Sequence, residues 1–394
     1  MKKNVIYLSP HFPTNFRHFS TALKKTGARV LGIGDEPFHQ LNSALKNALT
    51  EYYKISDMHN YDELIRGCGY FTHKYGKIDR LDSLNEYWLD TEAELRDDFN
   101  IPGLRKKDMK NIKCKSAMKE VYQQAGLRVA KGKIVKTLEE AEAFIKDVGY
   151  PVVAKPDSGV GAANTYKINN AEELNKVLGE IPENASYIME EFITGDIFSF
   201  DGLADCNSNA VHCTCHVFSQ GVMETVNDDM HINYYSLRDI PKELEEAGKK
   251  CLKAFNVKDR FFHLEFFHTP KGEFIPLEVN IRPPGGYSID MMNYGSDVDL
   301  FQAWADLIVH GKTELDYERK YHVLYAGRKK GIEYTNSHRD ILEKYGEKII
   351  IDQELPVVFR NALGDFCYIT RSEKFDEIKE MIEFIQSVNK LKIN

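Results

Sequence analysis

The stretch FFHLEFFHTPKGEFIPLEVNIRPPGG, residues 261–286, decides how the rest of this chain is read. Two β-rich runs flank Pro270-Lys271-Gly272-Glu273. A two-residue turn at Lys271-Gly272, with glycine supplying a positive φ, folds the runs into a hairpin. In that register Glu265 and Glu278 lie directly opposite each other. Asn280, two residues on, shares their face. Leu264, Phe266, Leu277, Val279 and Ile281 take the other face, which is core. Like charges opposed across strands repel, so the pair needs either water or a hard cation between its members. Mg²⁺ prefers carboxylate and amide oxygens and keeps phosphate oxygens in its shell; Mn²⁺ is the alternative. A solvated acidic surface is the simpler account of either Glu alone. The full triplet favours the cation because of its C-terminal neighbours.

Arg282 comes next, then Pro283-Pro284-Gly285-Gly286. That run cannot continue a ladder, and its glycines let backbone approach a ligand closely. A cation site, a planar guanidinium and exposed amides together form a set for phosphoryl groups and carboxylates. Upstream, Lys155 ends the apolar run Val152–Ala154, and the loop after it, Asp157-Ser-Gly-Val-Gly-Ala-Ala163, is built of small residues. Amides at Ser158, Gly159, Gly161 and Ala162 can cradle phosphate, and such a loop is suited to closing as a lid. Gly159-Val-Gly161 leads into a strand rather than a helix, so a dinucleotide fingerprint is excluded. Gly32-x-Gly34 lacks a third glycine and is excluded too.

At these residues the chain resembles the ATP-grasp superfamily, whose last metal-binding segment reads Glu…Glu-x-Asn with a following Arg. The resemblance runs from about residue 105 to 310, with its motifs in order. Lys115-Ser-Ala-Met-Lys-Glu looks like the first ATP lysine. Gly149-Tyr-Pro-Val-Val-Ala-Lys-Pro-Asp-Ser-Gly-Val-Gly-Ala looks like the lysine strand and lid loop. Tyr187-Ile-Met-Glu-Glu-Phe-Ile-Thr-Gly looks like the adenine hinge. Residues 1–105, through Phe99-Asn-Ile-Pro-Gly103, look like the α/β domain that precedes ATP-grasp in carboxylate–amine ligases.

The resemblance implies ATP and Mg²⁺. Lys115, Lys155 and the lid amides would hold phosphates, Glu190 would reach the adenine amino group, and backbone at Glu191 and Ile193 would complete the pairing. Glu265, Glu278 and Asn280 would hold metal. Arg282 and Lys155 would neutralise charge in the reaction, and Arg282 with Gly285 and Gly286 would hold the acid. The acid of the family that binds ribose is replaced here by Ile197, and neighbouring Asp196 points to the opposite face of a strand. The implied reaction joins a small carboxylate, as its acyl phosphate, to an amine, with an amino acid or peptide among the candidates. Carbamoyl-phosphate-synthase-like or biotin-carboxylase-like chemistry, or a non-catalytic nucleotide-binding module, are the competing readings.

The expected fold class is α/β: an N-terminal open parallel sheet over 1–105, then a two-subdomain α+β ATP-grasp fold. The lid-bearing part is expected at 106–192, the catalytic part at 193–312, and a C-terminal α/β segment at 313–394. The N-terminal expectation rests on strands Val5–Ser9 and Arg29–Gly34 with an amphipathic helix, Asn15–Thr26, between them. Further helices are expected at Lys113–Ala125, Pro241–Phe255 and Asp299–His310.

A net charge of −8 with no basic stripe disfavours nucleic acid, and no apolar run reaches the roughly 18 residues of a membrane helix. Seven cysteines without a disulfide pattern suit reduced thiols and a cytoplasmic setting. The composition leaves a homodimer open. His212-Cys-Thr-Cys-His216 is read as a β-strand rather than a zinc site, because in a strand its histidines and cysteines face opposite ways.

Overall fold

The computed structural model describes residues 2–159, 164–182, 184–219 and 231–388. Gly161 and Ala162 of the expected phosphate loop lie outside the described residues.

An N-terminal parallel sheet comes first, built from β1 (Asn4–Leu8), β2 (Arg29–Gly34), β3 (Glu51–Lys54) and β4 (Arg80–Asp82) in the order β3-β2-β1-β4. Its inner strands are buried on both faces, which is why β1 and β2 are continuous apolar runs. A small antiparallel sheet follows, with β5 (Gly132–Val135), β6 (Val152–Pro156), β7 (Tyr166–Ile168) and β8 (Tyr187–Glu191) in the order β5-β8-β6-β7.

Among the described residues the third sheet has eight strands, all antiparallel. They are β9 (Asp196–Ala204), β10 (Ala210–Phe218), β11 (Asn233–Leu237), β12 (Arg260–His268), β13 (Phe274–Asn280), β14 (His322–Arg328), β15 (Ile349–Glu354) and β16 (Phe366–Ser372). Their order is β13-β12-β9-β10-β11-β14-β16-β15. The chain after residue 313 thus extends the sheet that carries the acidic hairpin. This mixture of a parallel sheet and antiparallel sheets is the α/β, α+β combination expected.

The expected helix 113–125 is Lys115–Gln124. A separate helix, Lys106–Lys113, precedes it and meets it at Cys114, whose φ and ψ are extended. Asp157 starts the second one: its carboxylate accepts from Ser116 N at 2.8 Å and its carbonyl from Lys115 N at 2.8 Å. This fixes Lys115 against the strand-loop junction after β6. The helix Leu300–His310 has Asp299 as its N-cap and ends on Gly311 at φ +75°, the left-handed conformation that suits glycine.

A buried ion cluster joins the end of the N-terminal sheet and the helix after it to the start of β12. Arg260 Nη1 donates to Asp82 Oδ1 at 2.9 Å and Glu92 Oε2 at 3.0 Å, and Arg96 Nη2 donates to the same carboxylates at 2.8 and 2.7 Å. Arg260 Nε donates to Ile281 O at 3.2 Å, so the cluster also holds the chain between Asn280 and Arg282. Among the described residues no helix is long and apolar enough to cross a membrane.

Candidate active site

The hairpin places Glu265 opposite Glu278 and His263 opposite Asn280. The turn differs from the expected one. Gly272 N donates to Thr269 O at 2.8 Å and Thr269 N to Glu273 O at 2.9 Å, so Pro270-Lys271 form the centre and Gly272, at φ +79°, follows them. That shifts the pairing by one residue near the turn. A bulge between Glu265 and Phe266 shifts it back before the acids are reached. Leu277 is the extra residue of that bulge, so it is only half-buried and lies outside the core that holds Leu264, Phe266, Val279 and Ile281.

Both acids are largely withdrawn from water and act on each other. Burial and then the Glu265 charge push the Glu278 carboxyl up. Burial also opposes ionisation of Glu265, but His263 and Arg282 outweigh it and hold that carboxyl down. Two opposed carboxylates and one amide oxygen are a hard-donor set, and their mutual repulsion is the charge a divalent cation offsets. The residues present therefore fit Mg²⁺ or Mn²⁺.

Lys115 and Lys155 act on the pair, and Lys119 stands behind them at Glu190. Lys115 Nζ is 4.0 Å from Glu278 Oε1 and 3.5 Å from Gly159 O. Lys155 Nζ is 2.6 Å from Glu190 Oε2, and Lys119 Nζ is 2.7 Å from Glu190 Oε1. Burial pushes Lys119 down. Burial raises Glu190, but Lys155 and Lys119 more than reverse this and hold it ionised. The Glu190 carboxylate thus meets two lysines. The Glu191 carboxylate accepts from Lys131 N at 2.9 Å. Ile193 lies in the link between β8 and β9, and Ser158 Oγ is 3.1 Å from Cys114 Sγ. Ile197 lies on the face of β9 that carries Ser199, while Asp196 lies on the other.

Arg282 Nε reaches Glu86 Oε2 at 3.2 Å, and Nη1 donates to Pro283 O at 2.9 Å. Gly285 is exposed. Gly286 has φ +63°, and Asn15 Nδ2 donates to its carbonyl at 2.9 Å.

One face of the large sheet carries polar residues from the acids inward: Glu265 on β12 pairs with Ser199 on β9, which pairs with His216 on β10. Asp201 is fully buried on this face. Its Oδ1 lies 2.5 Å from His263 Nδ1 and its Oδ2 2.7 Å from His216 Nδ1. Burial would raise Asp201, but the two imidazoles beside it hold its carboxyl far below the usual range. His263 Nε2 is 3.4 Å from Glu265 Oε1. Burial disfavours its charge, yet Asp201 and Glu265 raise it to about 9. His263 thus links Asp201 to Glu265. His212 Nε2 is 3.2 Å from Ser296 Oγ, and residues 212–216 lie within β10, the strand expected of them.

A family model described as an ATP-grasp domain matches residues 148–290. The matched span runs from the lysine strand β6 through the acidic hairpin to Gly285 and Gly286. Residues 148–290 are an ATP-grasp domain. The chain is 26% identical over 245 residues to the L-arginine-specific L-amino acid ligase of Bacillus subtilis, covering 60% of this chain and 59% of that protein. It spans a little over half the length of the first curated relatives it matches. In structure it is similar to an L-amino acid ligase from Bacillus licheniformis, with a TM-score of 0.73 over 97% of this chain and 98% of the other at 16% identity. The biotin carboxylase domain of the Hydrogenobacter thermophilus 2-oxoglutarate carboxylase, solved with MgADP, ADP and bicarbonate, is similar at a TM-score of 0.70 and 17% identity over 99% of this chain and 90% of that one. At these identities the two structures establish the fold alone.

Sequence patterning does not single out Lys119, Glu86, Asp201 or His216 in these roles. Lys119 follows Lys115 by four residues and so shares its helix face, which is a usable signal. Asp201 and His216 carry another: ionisable residues in the middle of otherwise buried strands.

Proposed function

We propose that this protein is an ADP-forming ligase that activates a small carboxylate as an acyl phosphate and couples it to an amine. The observation that carries this reading is the opposed pair Glu265 and Glu278, with Lys115, Lys155 and Arg282 gathered around it. The relatives supply the class: an L-amino acid ligase by sequence, and a MgADP-bound carboxylase by fold.

ATP is the co-substrate. Lys115, Lys155 and the amides of Ser158 and Gly159 would take its phosphates, with Gly161 and Ala162 as further candidates. The link at Glu191 and Ile193 would take the adenine edge through backbone groups. Glu190 is better placed to fix the two lysines than to reach the base, because its carboxylate already lies within 2.7 Å of each. Glu265, Glu278 and Asn280 would hold one or more Mg²⁺ or Mn²⁺ ions, which supply charge neutralisation at phosphate oxygens.

The substrate carboxylate binds at Arg282, whose planar fork suits it, beside the amides of Gly285 and Gly286. Its oxygen attacks the terminal phosphorus, and Lys155 and Arg282 offset the charge that spreads over the phosphoryl oxygens. An amine then displaces phosphate. No protein nucleophile is required. An amino acid fits both the acid and the amine roles.

The test is incubation with ATP, Mg²⁺ and pooled amino acids, following phosphate release. A second arm replaces the amino acids with bicarbonate. Release that depends on amino acids supports the reading, and release with bicarbonate alone replaces it with carboxylase-like chemistry. No release in either arm, together with no thermal shift by ATP–Mg²⁺, removes it.

A further inference from the structure

We propose that His216, held by Asp201, is the residue that takes the proton from the incoming amine. This rests on the ligase reading above.

An amine reaches the site chiefly as an ammonium ion and cannot attack until it loses a proton, and the other groups of the site do not accept one. Lysines and Arg282 are cationic, and the two acids of the hairpin face metal. On the same face His263 has both ring nitrogens engaged, by Asp201 and Glu265, which leaves His216. Asp201 is ionised and accepts from His216 Nδ1, so the neutral imidazole carries its hydrogen on Nδ1 and presents a lone pair at Nε2. A carboxylate fixing one nitrogen so that the other can accept a proton is a recurrent catalytic arrangement.

The free nitrogen is unexplained by the fold. His216 is 1% exposed, and its Nε2 is shut from solvent with no hydrogen-bond partner among the described residues. Buried acceptors are almost always satisfied, so an orphan of this kind needs a reason. Its position supplies one. Ser199 is the register partner of both Glu265 and His216, which puts His216 two strands, about 10 Å, from the metal acid. On its other side, Tyr234 lies edge-on with ring centroids 6.1 Å apart. The Tyr234 hydroxyl is buried beside Ser288 and the Tyr287 backbone, and it lies 3.4 Å from where a Cβ on Gly286 would stand. His216 therefore lies between the acids and the Gly285-Gly286 turn, where the acyl group is expected.

The step balances without another reactant. The ammonium gives one proton to His216 Nε2. The nitrogen lone pair forms the C–N bond, the C–O bond to phosphate breaks, and phosphate leaves with that electron pair. The second N–H proton goes to the departing phosphate, which also takes the first from His216 Nε2 and leaves as dihydrogen phosphate.

Hydroxylamine separates this step from the one before it, because it is largely unprotonated at neutral pH and traps an acyl phosphate without a base. The variant is His216→Asn, whose amide nitrogen can still donate to Asp201 but which has no acceptor at the Nε2 position. Wild type and variant are compared with ATP, Mg²⁺ and the acid and amine selected by the amino-acid screen, measuring amide product, and again with hydroxylamine in place of the amine, measuring hydroxamate. The variant should lose about 10²–10⁴-fold in amide formation and keep hydroxamate formation within about threefold. Hydroxamate formation also reports that the variant is folded and binds ATP, metal and acid. Unchanged amide formation overturns the assignment, and so does equal loss of both products. A wild type that forms neither product overturns the ligase reading itself.

Discussion

Arg282 Nε stands 3.2 Å from Glu86 Oε2, so an ion pair spans from the stretch after β4 of the N-terminal sheet to the arginine that follows the acidic triplet. Glu86 adds to the charge that raises Glu278 as well, which places it at the edge of the same cleft. The guanidinium can keep Glu86 on Nε and still offer its other nitrogens to an anionic acid. Lysine has one ammonium and no such fork. Arg282→Lys is expected to lower acid-dependent ADP formation by about 10²–10³-fold while leaving ATP–Mg²⁺ affinity nearly intact. Both are measured side by side. Equal loss would move Arg282 to the nucleotide, and no loss would return it to the surface.

Glu278→Gln separates the cost of the acidic pair from its use. In the absence of metal, burial and the Glu265 charge disfavour ionised Glu278, so the neutral variant should melt no lower than wild type. ATP–Mg²⁺ at about 100 times its dissociation constant should stabilise wild type by roughly 2.7 kcal/mol. The variant should lose most of that stabilisation and about 10²–10³ in turnover. A variant that melts normally and keeps the full ATP–Mg²⁺ shift would make the hairpin a plain acidic surface.

The hairpin is legible in the sequence for a reason that depends on two compensating shifts. Alternation in FHLEFF and PLEVN assigns the acids to one face whatever the turn is. The turn sits one residue from the expected place, and the bulge at Glu265 cancels the displacement. Bulges carry no clear residue signature, so alternation alone assigns Leu277 to the core. The N-terminal strand Arg29–Gly34 and the helix ending at Gly311 are legible because caps and apolar runs act locally. The junction of two helices at Cys114 is not, since it is made by Asp157, more than forty residues away. The same holds for Lys119, Glu86 and Asp201. Each is an ordinary charged residue in the sequence, and only the meeting of separate sheets and helices gives it a partner.

Lys119 tests that meeting directly. Glu190 is 6% exposed and carries full charge between two lysines. Lys119→Met removes one of them and leaves a buried carboxylate half-compensated, at a cost of about 1–3 kcal/mol. Glu190→Gln alone leaves both lysines without their acid and should cost a similar amount. The double variant should be less destabilised than the sum of the two singles, by about 0.5–3 kcal/mol. Urea melts of the four proteins give this coupling. Strict additivity would mean that Lys155 alone compensates Glu190.

Asp290 provides the pH dependence. It lies in the first turn of the helix Ser288–Ser296, and its Oδ2 is buried without a hydrogen-bond partner among the described residues. Burial raises its carboxyl from 3.8 to about 6, and its own backbone amide and Arg17 only partly oppose this. Between those two values the folded protein holds a proton that the unfolded chain has released. Stability attributable to Asp290 is therefore present at low pH, falls as pH rises through that window, and levels off above it. The loss amounts to about 3 kcal/mol at most. Asp290→Asn keeps the shape and removes the titration. It should stabilise the protein by about 1–3 kcal/mol near pH 7.5 and by little near pH 4.5, where the native carboxyl is already protonated. Melting curves at the two pH values decide it: a gain of equal size at both would assign the effect to packing or hydrogen bonding, and a loss at pH 7.5 would show that ionised Asp290 has a stabilising partner.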